Sequence, residues 1–404
     1  MDPTRLFALQ LLRAVCDQHR SLDEALLRLT GEARDRSAAH RLAATVLRRC
    51  GTLDAVLEPH LKRAPPDAVR LILRLGAAQL LLLGTPAHAA VGTSVELARS
   101  QKLAPFAGLV NAVLRRVAEA GPGVLDELDG PRLDTPAWLW ASWGAEARAI
   151  ATAHQTEAPL DLSLLPGVAI PKGGTALPTG SVRMPAGMRV QDVPGFMAGG
   201  MWVQDAAAAL PAQLLAVKPG EAVADLCAAP GGKTAQLAAT GARVFAVDSH
   251  AKRLVRLREN MARLKLEVEV VQADAMSWQP PCQLDAVLVD APCSATGTIR
   301  RHPDLPHIKK LGDIAALAVG QDRLIAAAAA MLRPGGRMIY AVCSLQAEEG
   351  IMRAESAGLK VSPFGREEMA ALPEAVTDEG FVRTRPWMMG GMDGFFCARF
   401  VKEG

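Results

Sequence analysis

Asp225-Leu226-Cys227-Ala228-Ala229-Pro230-Gly231-Gly232-Lys233-Thr234 is the stretch on which the fold of this 404-residue chain turns. It begins at the end of Ala222–Leu226, which reads as a strand, and it leads into a helical pattern from about Thr234. Small residues between the two let the backbone approach a ligand closely. A nucleotide-type cofactor at such a turn expects an acid at the end of the next strand, ~20 residues on, for its ribose hydroxyls. Asp248 stands there, after Val244-Phe245-Ala246-Val247, and Asp274, after a third apolar run, falls where an adenine amino group could be read. Two rival readings apply, a bare tight turn and a phosphate-cradling loop whose end Gly232-Lys233-Thr234 mimics. The phosphate loop needs glycine five positions before its second Gly, where Cys227 stands, so an ATPase is disfavoured.

Working outward, Arg243–Val247, Val268–Gln272, Ala286–Val289 and Arg337–Val342 read as further strands, with helices over Lys252–Leu264 and Ile314–Leu332. Strands separated by helices imply a parallel sheet covered on both faces, with ligands at the carboxyl ends of its strands. Two more constellations fall at those ends: Asp290-Ala291-Pro292-Cys293-Ser294, and Cys343-Ser344 on the strand after Pro334-Gly335-Gly336. The cysteines (16, 50, 227, 282, 293, 343, 397) form no Cys-x-x-Cys pair, which argues against a disulfide framework and a common zinc site. No metal is expected. Buried filler is the ordinary reading of a free cysteine and is adopted for Cys16, Cys50, Cys282 and Cys397. Two cysteines at one sheet edge, one of them in a proline-bracketed turn with an aspartate, point instead to thiol chemistry.

The first 120 residues read as helices throughout, with apolar Leu6, Leu9, Leu12, Val15 and Cys16 at helical spacing and similar patterns over Ala38–Cys50, Ala68–Leu83, Ser94–Ser100 and Phe106–Ala120. Gly121-Pro122-Gly123 closes this module. The expected organisation is a helical domain over 1–122, a linker and small mixed substrate-side subdomain over 123–200, where Trp138, Trp140 and Trp143 cluster, and an α/β domain over 201–404. The composition, 50% hydrophobic and 22% charged, is that of a globular rather than a disordered chain. With 9 Phe, 6 Trp and 1 Tyr, its cores must be built from Ala, Leu and Val. Residues 1–125 carry 17 Lys+Arg against 11 Asp+Glu, a surplus of +6, and the remainder carries −3, which hints at a polyanionic partner for the N-terminal part. Gln79, Pro86 and His88 spoil Leu75–Val95 as a membrane span, and Met1–Arg5 lacks the features of a signal peptide. A cytoplasmic protein without membrane association is expected.

The three motifs, in that order, together with Arg300-Arg301-His302-Pro303-Asp304, Asp393-Gly394-Phe395-Phe396 and the lead-in Val203-Gln204-Asp205, resemble the Sun (Fmu) family of RNA cytosine-carbon-5 methyltransferases. The helical N-terminal part is similar to the NusB-like RNA-binding module carried by the branch of that family that acts on bacterial 16S ribosomal RNA. The resemblance implies an all-α NusB-like domain plus an α/β, seven-stranded Rossmann-like methyltransferase domain with S-adenosylmethionine as cofactor. The implied cofactor contacts are Cys227, Ala228, Ala229, Pro230, Gly231, Gly232, Lys233, Asp248, Asp274 and Asp290. Cys343 is implied as nucleophile, Asp290 as the group holding the cytosine at nitrogen 3, Cys293 as the residue that helps remove the carbon-5 proton for product release, and Lys233 as a cation facing the site.

Cysteine suits this chemistry, because carbon 5 of cytosine attacks a methyl sulfonium only after a thiolate has added to carbon 6. A thiol of pKa ~8.5 is a few per cent ionised at neutral pH, so the site must lower that value or supply a base. The base must also leave its stack, which costs least in loops or single strands. Arg115, Arg116, Arg300, Arg301 and His302 are the expected phosphate contacts. The partner implied is 16S ribosomal RNA, free or in a partly assembled small subunit, with the protein acting as a monomer. A transfer-RNA cytosine methyltransferase and a non-catalytic RNA-binding or ribosome-assembly protein are the alternatives. Two departures from the family stand out: Val342 replaces the usual threonine before the nucleophile, and Leu160–Gly180 matches the substrate-side subdomain poorly.

Overall fold

Leu9, Leu12 and Val15 recur at helical spacing, and in the computed structural model, which describes residues 3–403, the helix Pro3–Cys16 buries all three. Helices Leu22–Arg28, Ala33–Arg48, Cys50–Leu57, Asp67–Leu81, Ala87–Ser100 and Ala107–Ala120 close around them, with Leu42, Leu53, Ile72, Val110 and Leu114 in one apolar core. Ser21 and Glu24 open the second helix as a cap, the serine hydroxyl accepting the Glu24 N–H at 3.2 Å. The apolar stretch Leu75–Val95 is two helices, broken between Leu81 and Ala87.

This helical unit runs on to Glu157 and includes Ile299–Lys310. The division therefore differs from the break at 122 suggested by Gly121-Pro122-Gly123. Three short helices, Gly130–Leu133, Ala137–Trp143 and Ala147–His154, follow that breaker. The Asp134 carboxylate pins them to the earlier helices by accepting from Arg49 Nε (3.0 Å), the Thr52 N–H and hydroxyl (2.7 Å each) and Gln155 Nε2 (2.8 Å). Helices of four to eight residues, separated by Pro136 and Gly144, are too short to show a helical period in sequence. In the returning segment Asp304 accepts the Leu22 N–H at 3.0 Å, an orphan donor of a helix start, and Arg48 donates to the Arg300 carbonyl at 2.8 Å.

The second unit holds two sheets. The smaller joins β1 (Asp161–Leu164), β2 (Thr175–Ala176), β3 (Val182–Arg183) and β4 (Met201–Val203) in the antiparallel order β2-β3-β1-β4. Buried Asp161 takes a two-pronged ion pair from Arg183 at 2.7 and 2.8 Å. The larger contains β5 (Ala222–Leu226), β6 (Arg243–Asp248), β7 (Glu269–Gln272), β8 (Leu284–Asp290), β9 (Leu332–Val342), β10 (Lys360–Val361), β11 (Val382–Thr384) and β12 (Phe395–Val401). Its order is β10-β12-β9-β8-β5-β6-β7, with β11 pairing β12.

Strands β5 to β9 are parallel, whereas β12 runs antiparallel between β9 and β10 and makes the sheet mixed. The five strands read from the sequence are the parallel ones, and the antiparallel β12 completes the Rossmann-like methyltransferase sheet that was expected. Only a single 3-10 turn, Met388–Gly390, separates β11 from β12, a connection too short for a parallel crossover. The helix Leu311–Met331 alone, among the described residues, is long and apolar enough to cross a membrane. Leu324, Ile325 and Ala328 on it belong to the core cluster built on the sheet.

Candidate active site at the switch point of the sheet

Strand order reverses at β5: the chain proceeds through β6 and β7 on one side, then returns to place β8 and β9 on the other. The carboxyl ends of β5 and β8 flank this crevice, where open α/β sheets bind ligands. Helix Gly232–Ala238 starts just after β5, and its Lys233 reaches Asp290, the last residue of β8, with Nζ 2.7 Å from Oδ2. The ammonium also lies 5.0 Å from the centre of the Phe395 ring. Burial opposes the charge on Lys233, but the Asp290 carboxylate outweighs it and holds the lysine above its ordinary range.

Because β8 and β9 are neighbours in register, with Asp290 opposite Ala341, the residues just beyond them meet. Cys293 Sγ and Cys343 Sγ lie 3.4 Å apart, both half-buried and both free thiols. The hydrogen bond to Cys343, reinforced by burial, holds the Cys293 thiol well above its usual range. Cys227 is pushed up to about 12 by burial. Both are therefore neutral thiols at physiological pH. Val342 is fully buried in the apolar core, so its β-branched shape is what this position uses.

Sequence reasoning missed the residue beneath the two thiols. Glu349 is fully buried and accepts the Ser294 N–H (2.8 Å), the Ser344 hydroxyl (2.6 Å), the Ser294 hydroxyl and Gln321 Nε2 (3.2 Å). One carboxylate thus ties together the residues that follow each cysteine. A backbone crossing adds to this: the Gly297 N–H donates to the Cys343 carbonyl at 3.0 Å, and the Gly394 N–H to the Gly297 carbonyl at 2.9 Å. The lead-in and the C-terminal motif also converge, since Asp205 Oδ1 accepts both the Ala207 and the Asp393 N–H, at 2.8 and 2.9 Å.

The small-residue turn is held from behind. Cys227 has φ 63° and Gly231 φ 103°, both left-handed, and a Cβ on Gly231 would meet Leu257 Cγ at 3.1 Å. Asp248, with its side chain 1% exposed, accepts the Ala229 N–H at 3.2 Å and the His250 N–H at 2.9 Å, so its carboxylate braces the turn. Asp274 is exposed and accepts the Met276 N–H at 2.9 Å.

The expected RNA contacts are dispersed. Arg115 and Arg116 are exposed on the helix Ala107–Ala120. Arg300 is 4% exposed and donates to the Glu157 carbonyl at 3.1 Å, so its guanidinium is spent inside the helical unit. Arg301 lies beside it in the same segment, and His302 Nδ1 is 3.7 Å from an Asp23 oxygen.

A Rossmann-like mixed sheet with a small-residue turn at its switch point and two thiols beside it is the architecture of an α/β methyltransferase domain. Residues 212–401 match the model of the family described as 16S rRNA methyltransferase RsmB/F, and residues 2–119 match the NusB family. The chain is 36% identical over 439 residues to ribosomal RNA small subunit methyltransferase B of Pseudomonas syringae pv. tomato, covering 100% of this chain and 97% of that protein. It belongs to the RsmB/F family of S-adenosylmethionine-dependent RNA methyltransferases. Among solved structures, PH0851 shares the fold with a TM-score of 0.75 at 22% identity, covering 100% of this chain and 99% of its own. A methyltransferase homolog protein from Pyrococcus horikoshii gives 0.54 at 25% identity over 66% of this chain and 94% of its own.

The residues present fit that cofactor chemically. A ribose diol and an adenine amino group are hydrogen-bond donors; Asp274 and Asp290 put acceptors just beyond β7 and at the end of β8, while the enclosed Asp248 at the end of β6 shapes the turn from behind. No side chain larger than a proline ring or a thiol stands between Cys227 and Gly232.

Proposed function

We propose that this protein methylates carbon 5 of a cytosine in 16S ribosomal RNA, with Cys343 as the nucleophile. The observation that carries the reading is the pair of thiols 3.4 Å apart at the switch-point edge that also holds the Lys233–Asp290 pair. Cys227 to Lys233, Asp248, Asp274 and Asp290 would hold S-adenosylmethionine, which supplies an electrophilic methyl group when bound. The Cys343 thiolate adds to carbon 6 of the flipped-out base, and Asp290, oriented by Lys233, holds the ring at nitrogen 3. Cys293 begins as a neutral thiol donating to Cys343. Once Cys343 is bonded to carbon 6 it no longer takes the Cys293 hydrogen bond; Cys293 passes its proton to water, its thiolate takes the carbon-5 proton, and the electron pair of that carbon–hydrogen bond forms the 5,6 double bond. The carbon–sulfur bond then breaks and Cys343 leaves.

The substrate class is supported by the names of the full-length relatives, each a ribosomal RNA small subunit methyltransferase B. The protein acts in the cytoplasm, as a monomer, on RNA that is free or partly assembled, where extruding a base costs least. The N-terminal helical domain binds RNA and the C-terminal domain carries the reaction. The test is methylation of transcribed 16S RNA with labelled cofactor, the modified base being located by bisulfite sequencing. Cys343→Ala abolishes the signal, and Cys293→Ala accumulates a covalent protein–RNA band on a denaturing gel. Full activity of Cys343→Ala would remove it as nucleophile.

A further inference from the structure

The helical unit carries a cavity of about 670 Å³ between the loop after helix Cys50–Leu57 and the face of helix Ala107–Ala120. Its wall includes the half-buried ring of Phe106 and the side chain of Leu109, and three prolines stiffen its lip. Its polar lining has one sign. His60, Lys62, Arg63 and Arg116 border it, and no acidic residue does. Among the described residues, none of these four forms an ion pair or a side-chain hydrogen bond. Elsewhere in the same unit arginines are matched, as in Arg49 with Asp134, Arg74 with Asp54 and Arg148 with Asp129. An apolar floor under unmatched cations is complementary to a ligand with flat apolar faces and an anionic backbone.

We propose that this groove binds a single-stranded stretch of the substrate RNA away from the target cytosine. Unstacked bases lie against Phe106 and Leu109, and phosphates lie on Lys62, Arg63 and Arg116. A duplex hides its base faces in its own stack, whereas single strands present them to aromatic side chains. This deepens the proposed function by placing a second contact on the same RNA, and it rests on that reading.

The experiment uses the full chain, a fluorescein-labelled single-stranded RNA of mixed sequence, and transcribed 16S RNA. Lys62, Arg63 and Arg116 are exposed, so Lys62→Ser/Arg63→Ser/Arg116→Ser keeps the fold, as circular dichroism melting will verify. The triple variant is expected to bind the labelled strand at least ~10-fold more weakly, with a salt slope reduced by about 2, since each lost phosphate contact removes ~0.7. Phe106→Ala is expected to weaken binding ~5- to 100-fold, the loss of one stacked base. Both raise KM for 16S RNA and leave kcat unchanged.

Wild-type affinity, salt slope and KM in both variants would overturn the proposal. Polyglutamate binding that the triple substitution abolishes, with the affinity for the labelled RNA unchanged in that variant, would also overturn it, by assigning the groove to an acidic protein segment. A wild-type protein that binds the strand through these residues yet methylates no cytosine would sink the proposed function and leave the groove standing.

Discussion

A carboxylate out of reach of water must be met by donors or give up its charge. Glu349 has four donors around it. Truncation to alanine would strand them at ~1–3 kcal/mol each, so the informative change is Glu349→Gln, which keeps the volume. Its amide NH2 confronts donors where a carboxylate oxygen accepted, and the residues after Cys293 and Cys343 lose their common anchor. Methyl transfer is expected to fall ~10- to 100-fold in kcat with KM for RNA unchanged, and covalent adduct formation in a Cys293→Ala background should slow in parallel. A drop in melting temperature without that kinetic split would make Glu349 structural only.

Asp225 has one donor, the Thr234 hydroxyl at 2.6 Å, and its Oδ1 has no partner, so burial lifts its pKa to about 7. A carboxyl whose pKa rises on folding favours the native state most below its unfolded value near 3.9, and that stability is lost as pH rises towards 7. Asp225→Asn removes the titration. The variant is expected to match wild type in denaturant stability near pH 4 and to exceed it by on the order of a few kcal/mol at pH 8. A difference independent of pH would show that the carboxyl ionises as readily in the fold as in the unfolded chain, so that burial does not raise its pKa.

At the scale of elements, the parallel strands were legible because strands buried on both faces are unbroken apolar runs, and Val244–Val247 and Ala286–Val289 are such runs. The chemistry was legible for a related reason: Lys233, Asp290, Cys293 and Cys343 sit at or just past strand and turn ends, where a parallel sheet exposes its ligands. What sequence could not show was pairing. β12 inserts beside β9 through contacts with residues more than 50 positions away, and β10 and β11 are two and three residues long, too short for a period. Glu348 and Glu349 are alike in sequence, yet one is half-buried and the other fully enclosed, which only the tertiary fold decides.

Gly297 makes the same point as a prediction. A Cβ there would lie 1.9 Å from the Gly394 carbonyl oxygen, a contact with backbone that no rotamer relieves. Gly297→Ala must therefore separate the Cys293 turn from the start of β12 and release the Cys343 carbonyl. It is expected to lower the melting temperature by several degrees and to cut methyl transfer at least ~100-fold. Wild-type activity in a soluble Gly297→Ala protein would show that this crossing does not position the thiols.

At the scale of the whole molecule, the chain enters the helical unit twice, first over its N-terminal 157 residues and again over Ile299–Lys310. The second visit is short but well connected. Asp304, 2% exposed, accepts the Leu22 N–H, and His307 Nε2 lies 3.0 Å from the Leu47 carbonyl. Ile308 packs on the helical core. Removing the segment uncovers that apolar surface, frees a helix-start donor and leaves the Arg48 guanidinium without the Arg300 carbonyl. Residues 1–157 expressed alone are therefore expected to fold with reduced stability, their midpoint in urea lying below that of the same unit within the full chain. A synthetic peptide of residues 299–310 should restore part of the difference by binding the native state in proportion to its concentration. The same peptide with Asp304→Ala should restore less, since it can no longer accept the Leu22 N–H. If neither peptide shifts the midpoint, the segment is carried by the helical unit rather than holding it together, and residues 1–157 are a self-sufficient domain.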